Sequence, residues 1–306
     1  MPAIRRKHIV TGGVVAMCLA AQLMLAACGG SVGSSKDAIT SSPPATAVAA
    51  GAGKTVLENL VTPGVLTVAT FNQSPPSAYL SPDGRLIGWE VDLAKEIARR
   101  LGLEARFESV AFPSVLDDVE SGLADIGIAS MFDTPARQQR VDFIDYYTGG
   151  TNWITSRDSA FDAESPCGLH VGAVSGSAQL NDFLPRISQA CIAEGQAPLE
   201  ITGFESPADA TDAIIGGRLD AAVADGPVAS FAVGASFGRL ASVGNAVEIQ
   251  PYGIAVKLNN EALQTAILSA LDSMVADGSY PDLLGRWGVE DGYVAQFNRN
   301  GMAVQQ

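Results

Sequence analysis

GLADIGIASMFDTPAR (Gly122–Arg137) and GRLDAAVAD (Gly217–Asp225) repeat one pattern. In each, a helical stretch stops at a glycine, an aspartate follows three residues later, and a short apolar strand comes next. Five positions beyond each aspartate stands a polar residue, Ser130 after Asp125 and Asp225 after Asp220. Both therefore fall at the end of a buried strand. Ligands of open α/β sheets sit outside the carboxyl ends of the strands. Two such ends predict one small molecule held between two similar lobes.

The segments around each copy extend the pattern. A strand over Val65–Thr70, a helix over Glu90–Leu101, a strand near Leu103–Val110 and a helix over Ser114–Ser121 lead into the first copy. A strand over Leu169–Val174, a helix from about Ala178, a strand near Leu199–Phe204 and a helix over Ala208–Ile215 lead into the second. Alternating strands and helices with glycine turns predict parallel sheets with right-handed crossovers. Strands at Thr151–Ser156 and Val247–Val256 would carry the chain into the second lobe and back, making a hinge of two crossings. A helix over Glu261–Ala276 follows, and Trp287, in a short last helix, is read as core packing. The fold class is α/β and two-lobed, each lobe a mostly parallel sheet flanked by helices.

The chain has 306 residues and is 47% apolar, enough for two packed lobes. Arg5, Arg6 and Lys7 precede an apolar run from Ile9 to Ala27, the anatomy of a signal peptide over residues 1–27. Without them 33 acidic residues face 16 basic ones, a net charge of −17, which argues against a nucleic-acid partner. The run ends Leu25-Ala26-Ala27-Cys28, which resembles the lipobox of bacterial lipoproteins, in which the cysteine carries the lipid. A plain secreted protein cut near Ala27 is the alternative. Residues 28–55, rich in Gly, Ser, Ala, Thr and Pro, read as a lipidated cysteine and a flexible tether. Cys167 and Cys191 then remain, an even pair in an oxidising setting, and a disulfide is the expectation, with free thiols as the alternative. A metal site is not expected, since His170 is the one histidine left after processing.

In this frame several runs resemble family 3 of the bacterial extracellular solute-binding proteins, the amino-acid receptors of ABC importers. They are Gly88-Trp89-Glu90-Val91-Asp92-Leu93-Ala94, Asp133-Thr134-Pro135-Ala136-Arg137, Val141-Asp142-Phe143, Val171-Gly172-Ala173-Val174-Ser175-Gly176-Ser177, Asp225-Gly226-Pro227-Val228-Ala229, Pro251-Tyr252-Gly253-Ile254-Ala255 and Ala276-Asp277-Gly278-Ser279-Tyr280. They occur in this order across about residues 56 to 290. The resemblance implies a type II periplasmic-binding-protein-like fold that closes over its ligand. Lobe one would comprise 56–152 with 253–306, and lobe two 153–252.

The chemistry of an amino acid fits the residues at hand. Its carboxylate suits the planar fork of Arg137, and its ammonium suits Asp225. The resemblance implies those two roles, and a polar or backbone ligand contact at Ser130. Ser177 opens a helix after a glycine turn and could help hold the anion. Phe112 matches a cleft-lining position, and Phe71 stands where polar relatives carry an acidic or polar side chain. Bland readings stand beside these: Arg137 paired with Asp133 or Asp142, Asp225 capping a turn, Ser177 capping a helix, Phe112 in the core, and Asp125 and Asp220 as structural turn residues. The chain also departs from the polar amino-acid receptors at Ser74 and Phe132, so Phe71, Phe132 or Tyr79 would supply the stacking wall.

The leading expectation is a lipid-anchored, monomeric receptor that delivers an amino acid to an ABC permease from the outer face of the membrane, with no cofactor and no catalysis. An elimination enzyme on the same scaffold would need a cleft carboxyl of raised pKa. A sensory protein reporting to a membrane kinase would share every cleft residue.

Overall fold

The structure is a computed structural model that describes residues 60–303. The signal peptide, Cys28 and the tether lie outside the described residues. Among the described residues no helix is long and apolar enough to cross a membrane.

The first round runs β1 (Val65–Thr70), α1 (Trp89–Arg100), β2 (Glu104–Ser109), α2 (Ser114–Ser121) and β3 (Ile126–Gly127). A long strand, β4 (Val141–Ser156), leads to the second round: β5 (His170–Val174), α3 (Leu184–Ala193), β6 (Glu200–Phe204), α4 (Pro207–Ile215) and β7 (Ala221–Asp225). Then come α5 (Gly226–Ala235), a second long strand β8 (Leu240–Lys257), α6 (Glu261–Ala276) and α7 (Ser279–Trp287). The main path through the large sheet is β2-β1-β3-β8-β4-β7-β5-β6. Read inward from either edge the order is the same. A first strand lies between two parallel neighbours, and the inner neighbour pairs antiparallel with one of the long strands.

The repeat holds at the level of single atoms. Gly122 and Gly217 both adopt left-handed φ, 78° and 68°, at the end of a helix, where a side chain would be strained. The next residue in each case closes the helix by donating back, Leu123 to Asp118 and Arg218 to Ala213. The aspartates then tie each lobe's first strand: Asp125 accepts from the backbone of Val61 (2.8 Å) and Thr67 (2.7 Å), and Asp220 from His170 (2.9 Å). Their job is structural.

Helices cover both faces of each half-sheet. In the first lobe α1 and α6 pack Ile97, Ile267 and Leu271 on Leu66, Val68 and Ile126. On the opposite face α2 packs Val115 and Val119 with Ala69 and Phe143. The second lobe repeats this, with Leu184 of α3 against Val171 and Val223, and Ile214 of α4 against Ala222 and Leu240. The hinge crossings at Thr151–Ser156 and Val247–Val256 are parts of β4 and β8, which pair antiparallel with register shifts between Val243 and Gly253.

Three local expectations need correction. The strand of the first copy is only two residues long, because beyond Gly127 the chain turns away to a left-handed Ser130 (φ 48°). The helix expected from Ala178 opens as a π-helical turn, Gln179–Phe183, before α3. Trp287 packs against the first lobe's core as read, but half-buried at its edge rather than within it, and its indole N–H donates to Asp92 at 3.0 Å.

Candidate functional site

The carboxyl ends of β3 and β7 open onto one cavity between the lobes. Arg137, Asp225, Ser130, Ser177, Phe112 and Phe71 all line it. It is narrow, about 30 Å³, room for roughly two waters. The lobes touch across it. A side-chain carbon on Gly176 (φ 80°), in the turn after β5, would lie 2.6 Å from Pro113 Cγ of the first lobe.

Arg137 opens a short 3₁₀ turn after the loop that follows Ser130. One guanidinium nitrogen donates to the carbonyl of Phe132 (2.8 Å), and the other crosses the cleft to the carbonyl of Gly176 (3.2 Å). The Phe112 ring lies 5.7 Å from its Cζ. Neither acidic neighbour holds it: Asp133 accepts from Gln138, and Asp142 accepts from Asn259, Gln264 and Asn300. Burial pushes its pKa down to about 10, against the pull of Asp225 and Asp133, so it stays cationic at neutral pH.

Asp225 occupies the N-cap position of α5 without capping it by its side chain. Its carboxylate instead accepts from the Gln179 amide at 2.7 Å. Burial raises its pKa to about 7, while the Gln179 donor and the facing Arg137 charge hold it down. A buried carboxylate in this condition gains from any cation brought beside it.

Ser130 is tied from behind. Its N–H (2.7 Å) and hydroxyl (2.9 Å) both reach Glu90 Oε1, which also accepts from the Tyr146 hydroxyl. Ser77 joins Ser130 Oγ at 2.8 Å and accepts from the Trp89 indole. The Ser130 N–H is thus committed within the protein, although the residue lines the cavity. Glu90 is fully buried, its Oε2 has no partner, and burial raises its pKa to about 7.

Ser177 both lines the cavity and caps: its Oγ accepts from Leu180 N–H at 3.1 Å, leaving its own proton to donate. Phe112 belongs to a core cluster and to the cavity wall, edge-on to Phe71 at 5.9 Å. Ser74 and Phe132 also line the cavity. Tyr79 does not: it packs against Phe231 and Trp287 at 5.9 and 6.5 Å.

Sequence reasoning passed over Gln179 and Glu90 as site residues. Both leave a trace. Glu90 shares a helical stripe with Ala94 and Ile97, an acid on an apolar face, and Gln179 is a lone amide between Ala178 and Leu180. Away from the cleft, Cys167 and Cys191 form a disulfide. A larger cavity of about 520 Å³ beside the hinge has Asp291 as its one charged lining residue, and so lacks a cation and anion pair.

A two-lobed sheet with a hinge of two strands and a charged cleft between its halves defines a solute receptor that closes on its ligand. The sequence profile of the bacterial extracellular solute-binding proteins, family 3, matches residues 66–290, and the chain belongs to this family. Its place is therefore outside the cytoplasm. It is 35% identical over 240 residues to the arginine-binding protein ArgT of Corynebacterium glutamicum, covering 78% of each chain. It is 29% identical over 279 residues to the ABC transporter glutamine-binding protein GlnH of Bacillus subtilis, covering 89% of this chain and 95% of that one. Among solved structures it resembles an ancestral arginine-binding protein bound to arginine, with a TM-score of 0.67 and 31% identity, covering 73% of this chain and 98% of the other. These relatives are binding proteins.

Proposed function

We propose that this receptor binds one amino-acid zwitterion between lobe one (56–152 with 253–306) and lobe two (153–252) and delivers it to an ABC permease. Arg137 takes the α-carboxylate, helped by the Ser177 hydroxyl, and Asp225, oriented by Gln179, takes the α-ammonium. Ser130, Phe112 and Phe71 complete the wall. Cys28 carries the lipid that holds the monomeric receptor at the outer face of the membrane.

One observation supports the site: a fixed cation from one lobe and a fixed anion from the other face the same cavity. Opposite charges on the two sides of one cleft suit a ligand that carries both. Each charge-assisted hydrogen bond would contribute about 1.5 to 3 kcal/mol. Calorimetric titration of the purified protein with the twenty amino acids tests this. At least one should bind, and Arg137→Ala should weaken it by roughly 10-fold or more. Silence across the panel, or unchanged affinity in Arg137→Ala, would refute the assignment.

A further inference from the structure

The part of the cleft left for the ligand's side chain holds no ionised group. Arg137 and Asp225 are the two charged residues that line the cavity, and a zwitterion engages both. The polar lining groups are largely committed as well. Ser130 gives its N–H and hydroxyl to Glu90, and the Gln179 amide nitrogen serves Asp225. Ser177 accepts from Leu180, and its remaining proton is assigned to the ligand's carboxylate in the reading above. Glu90 lies fully buried behind Ser130, outside the cavity lining, with three donors on its Oε1.

What remains is apolar. Phe71, Phe112 and Phe132 form the wall on one lobe, and Val174, Pro207 and Val228 face them from the other, with the Ser74 hydroxyl as the one added polar group. Phe71 is 3% exposed and braced edge-on by Phe112, so this wall cannot swing aside to bring a carboxylate in. A charged side chain placed here would lose its water and gain no counter-ion. An uncharged, mainly apolar side chain would exchange water for aromatic and branched surface.

Resting on the zwitterion reading above, we infer that this receptor selects amino acids with an uncharged, mainly apolar side chain and rejects those whose side chain carries charge. It thereby parts from those relatives named for arginine. An arginine side chain placed here would meet Phe71 and Phe132 and no second carboxylate to pair with.

Calorimetric titration of the purified full-length chain with L-alanine, L-valine, L-leucine and L-phenylalanine, against L-arginine, L-lysine and L-aspartate, tests the inference. The best neutral ligand should bind on the order of 100-fold more tightly than any of the charged three. Arginine, lysine or aspartate within tenfold of the best neutral ligand overturns it while leaving the zwitterion reading standing. No binding by any of the seven overturns the inference, and the zwitterion reading falls with it only if the remaining amino acids of the twenty are silent as well. Phe71→Asp should raise arginine affinity relative to the best neutral ligand by about tenfold or more, and Phe71→Leu should keep the neutral preference. Neutral preference unchanged in a folded Phe71→Asp protein would show that this wall does not set selectivity.

Discussion

As the proposed ammonium site, Asp225 should make ligand affinity depend on pH in a range where an ordinary aspartate is silent. Burial lifts its pKa to about 7, and a bound ammonium would pull it back toward or below the usual carboxylate range. Binding then requires the ionised form, so a proton leaves whenever a ligand binds below neutral pH. The sign follows: affinity is full above the raised pKa and is lost as pH falls through it. With a pKa of about 7, some 3% of the free protein carries ionised Asp225 at pH 5.5, so Kd rises about 30-fold from its value at pH 8, about 2 kcal/mol. An aspartate left at 3.8 would change Kd by only a few per cent over that range. Calorimetry at both pH values, in two buffers of different ionisation enthalpy, reads Kd and the released proton together. Glu90 is also raised to about 7, and Asp145 likewise, so the assignment needs Asp225→Asn. That variant should bind weakly and with no slope. A wild-type Kd constant within threefold between pH 8 and 5.5, or a slope kept in Asp225→Asn, would refute the reasoning.

Three further outcomes follow from contacts described above. Gly176→Ala places a methyl against Pro113 at a left-handed φ, so it should weaken ligand binding about tenfold through impaired closure while the backbone strain, about 1 to 2 kcal/mol, lowers the melting temperature by only a few degrees; calorimetry and thermal scanning check both. Glu90 has its pKa raised from 4.5 to about 7, so it contributes stability that is present below pH 4.5 and lost as pH rises through 7. Glu90→Gln should flatten that loss, of order 3 kcal/mol, in denaturant titrations at pH 5 and 8, and an unaltered pH slope would exonerate Glu90. Cys191→Ser opens a loop of 24 residues' separation and should cost about 3 kcal/mol of unfolding free energy in the chain-entropy model, with ligand affinity kept.

The parts of this fold that were readable are those in which one residue type answers one local demand. Glycine at 122 and 217 answers a left-handed helix end, and the aspartate three residues on answers backbone N–H groups of or next to a neighbouring strand, two for Asp125 and one for Asp220. The apolar stripe of α1 and that of α6 needed only a period of 3.6. Arg137 and Asp225, which line one cavity, were singled out because the runs that carry them resemble the family's and because a zwitterion demands opposite charges. What escaped depends on contacts between distant segments. Glu90 acquires its role from Ser130, 40 positions away, and Gln179 from Asp225, 46 positions away, and no local pattern states either pairing. The short β3 escaped for the same reason, since strand length there is limited by the turn that carries Ser130 to Glu90. Each of the two long strands was read only in part, as Thr151–Ser156 and Val247–Val256, because bulges near residues 243 to 253 and glycines at 149 and 150 break their alternation.

One unit used twice, with opposite charges at its two ends, gives closure its selectivity. In the closed cleft burial moves both groups toward neutrality, Arg137 down to about 10 and Asp225 up to about 7. Each net shift corresponds to about 3 to 4 kcal/mol, what remains of the cost of holding that charge out of water after its present partners have offset part of it. Arg137 partly relieves its own through two backbone carbonyls, one of them Gly176 across the cleft, and Asp225 through one amide. A zwitterion relieves both at once, whereas a simple carboxylate or a simple amine relieves one and leaves the other buried and under-paired. A ligand shifts an equilibrium only by its differential affinity for the two states. The closed state therefore favours a molecule with both charges over one with either alone. N-acetylation of the best ligand, which removes the ammonium and keeps the side chain and carboxylate, should therefore abolish closure. Small-angle scattering or a fluorophore pair spanning the cleft would report this, and closure retained with the acetylated ligand would mean that Asp225 takes no part.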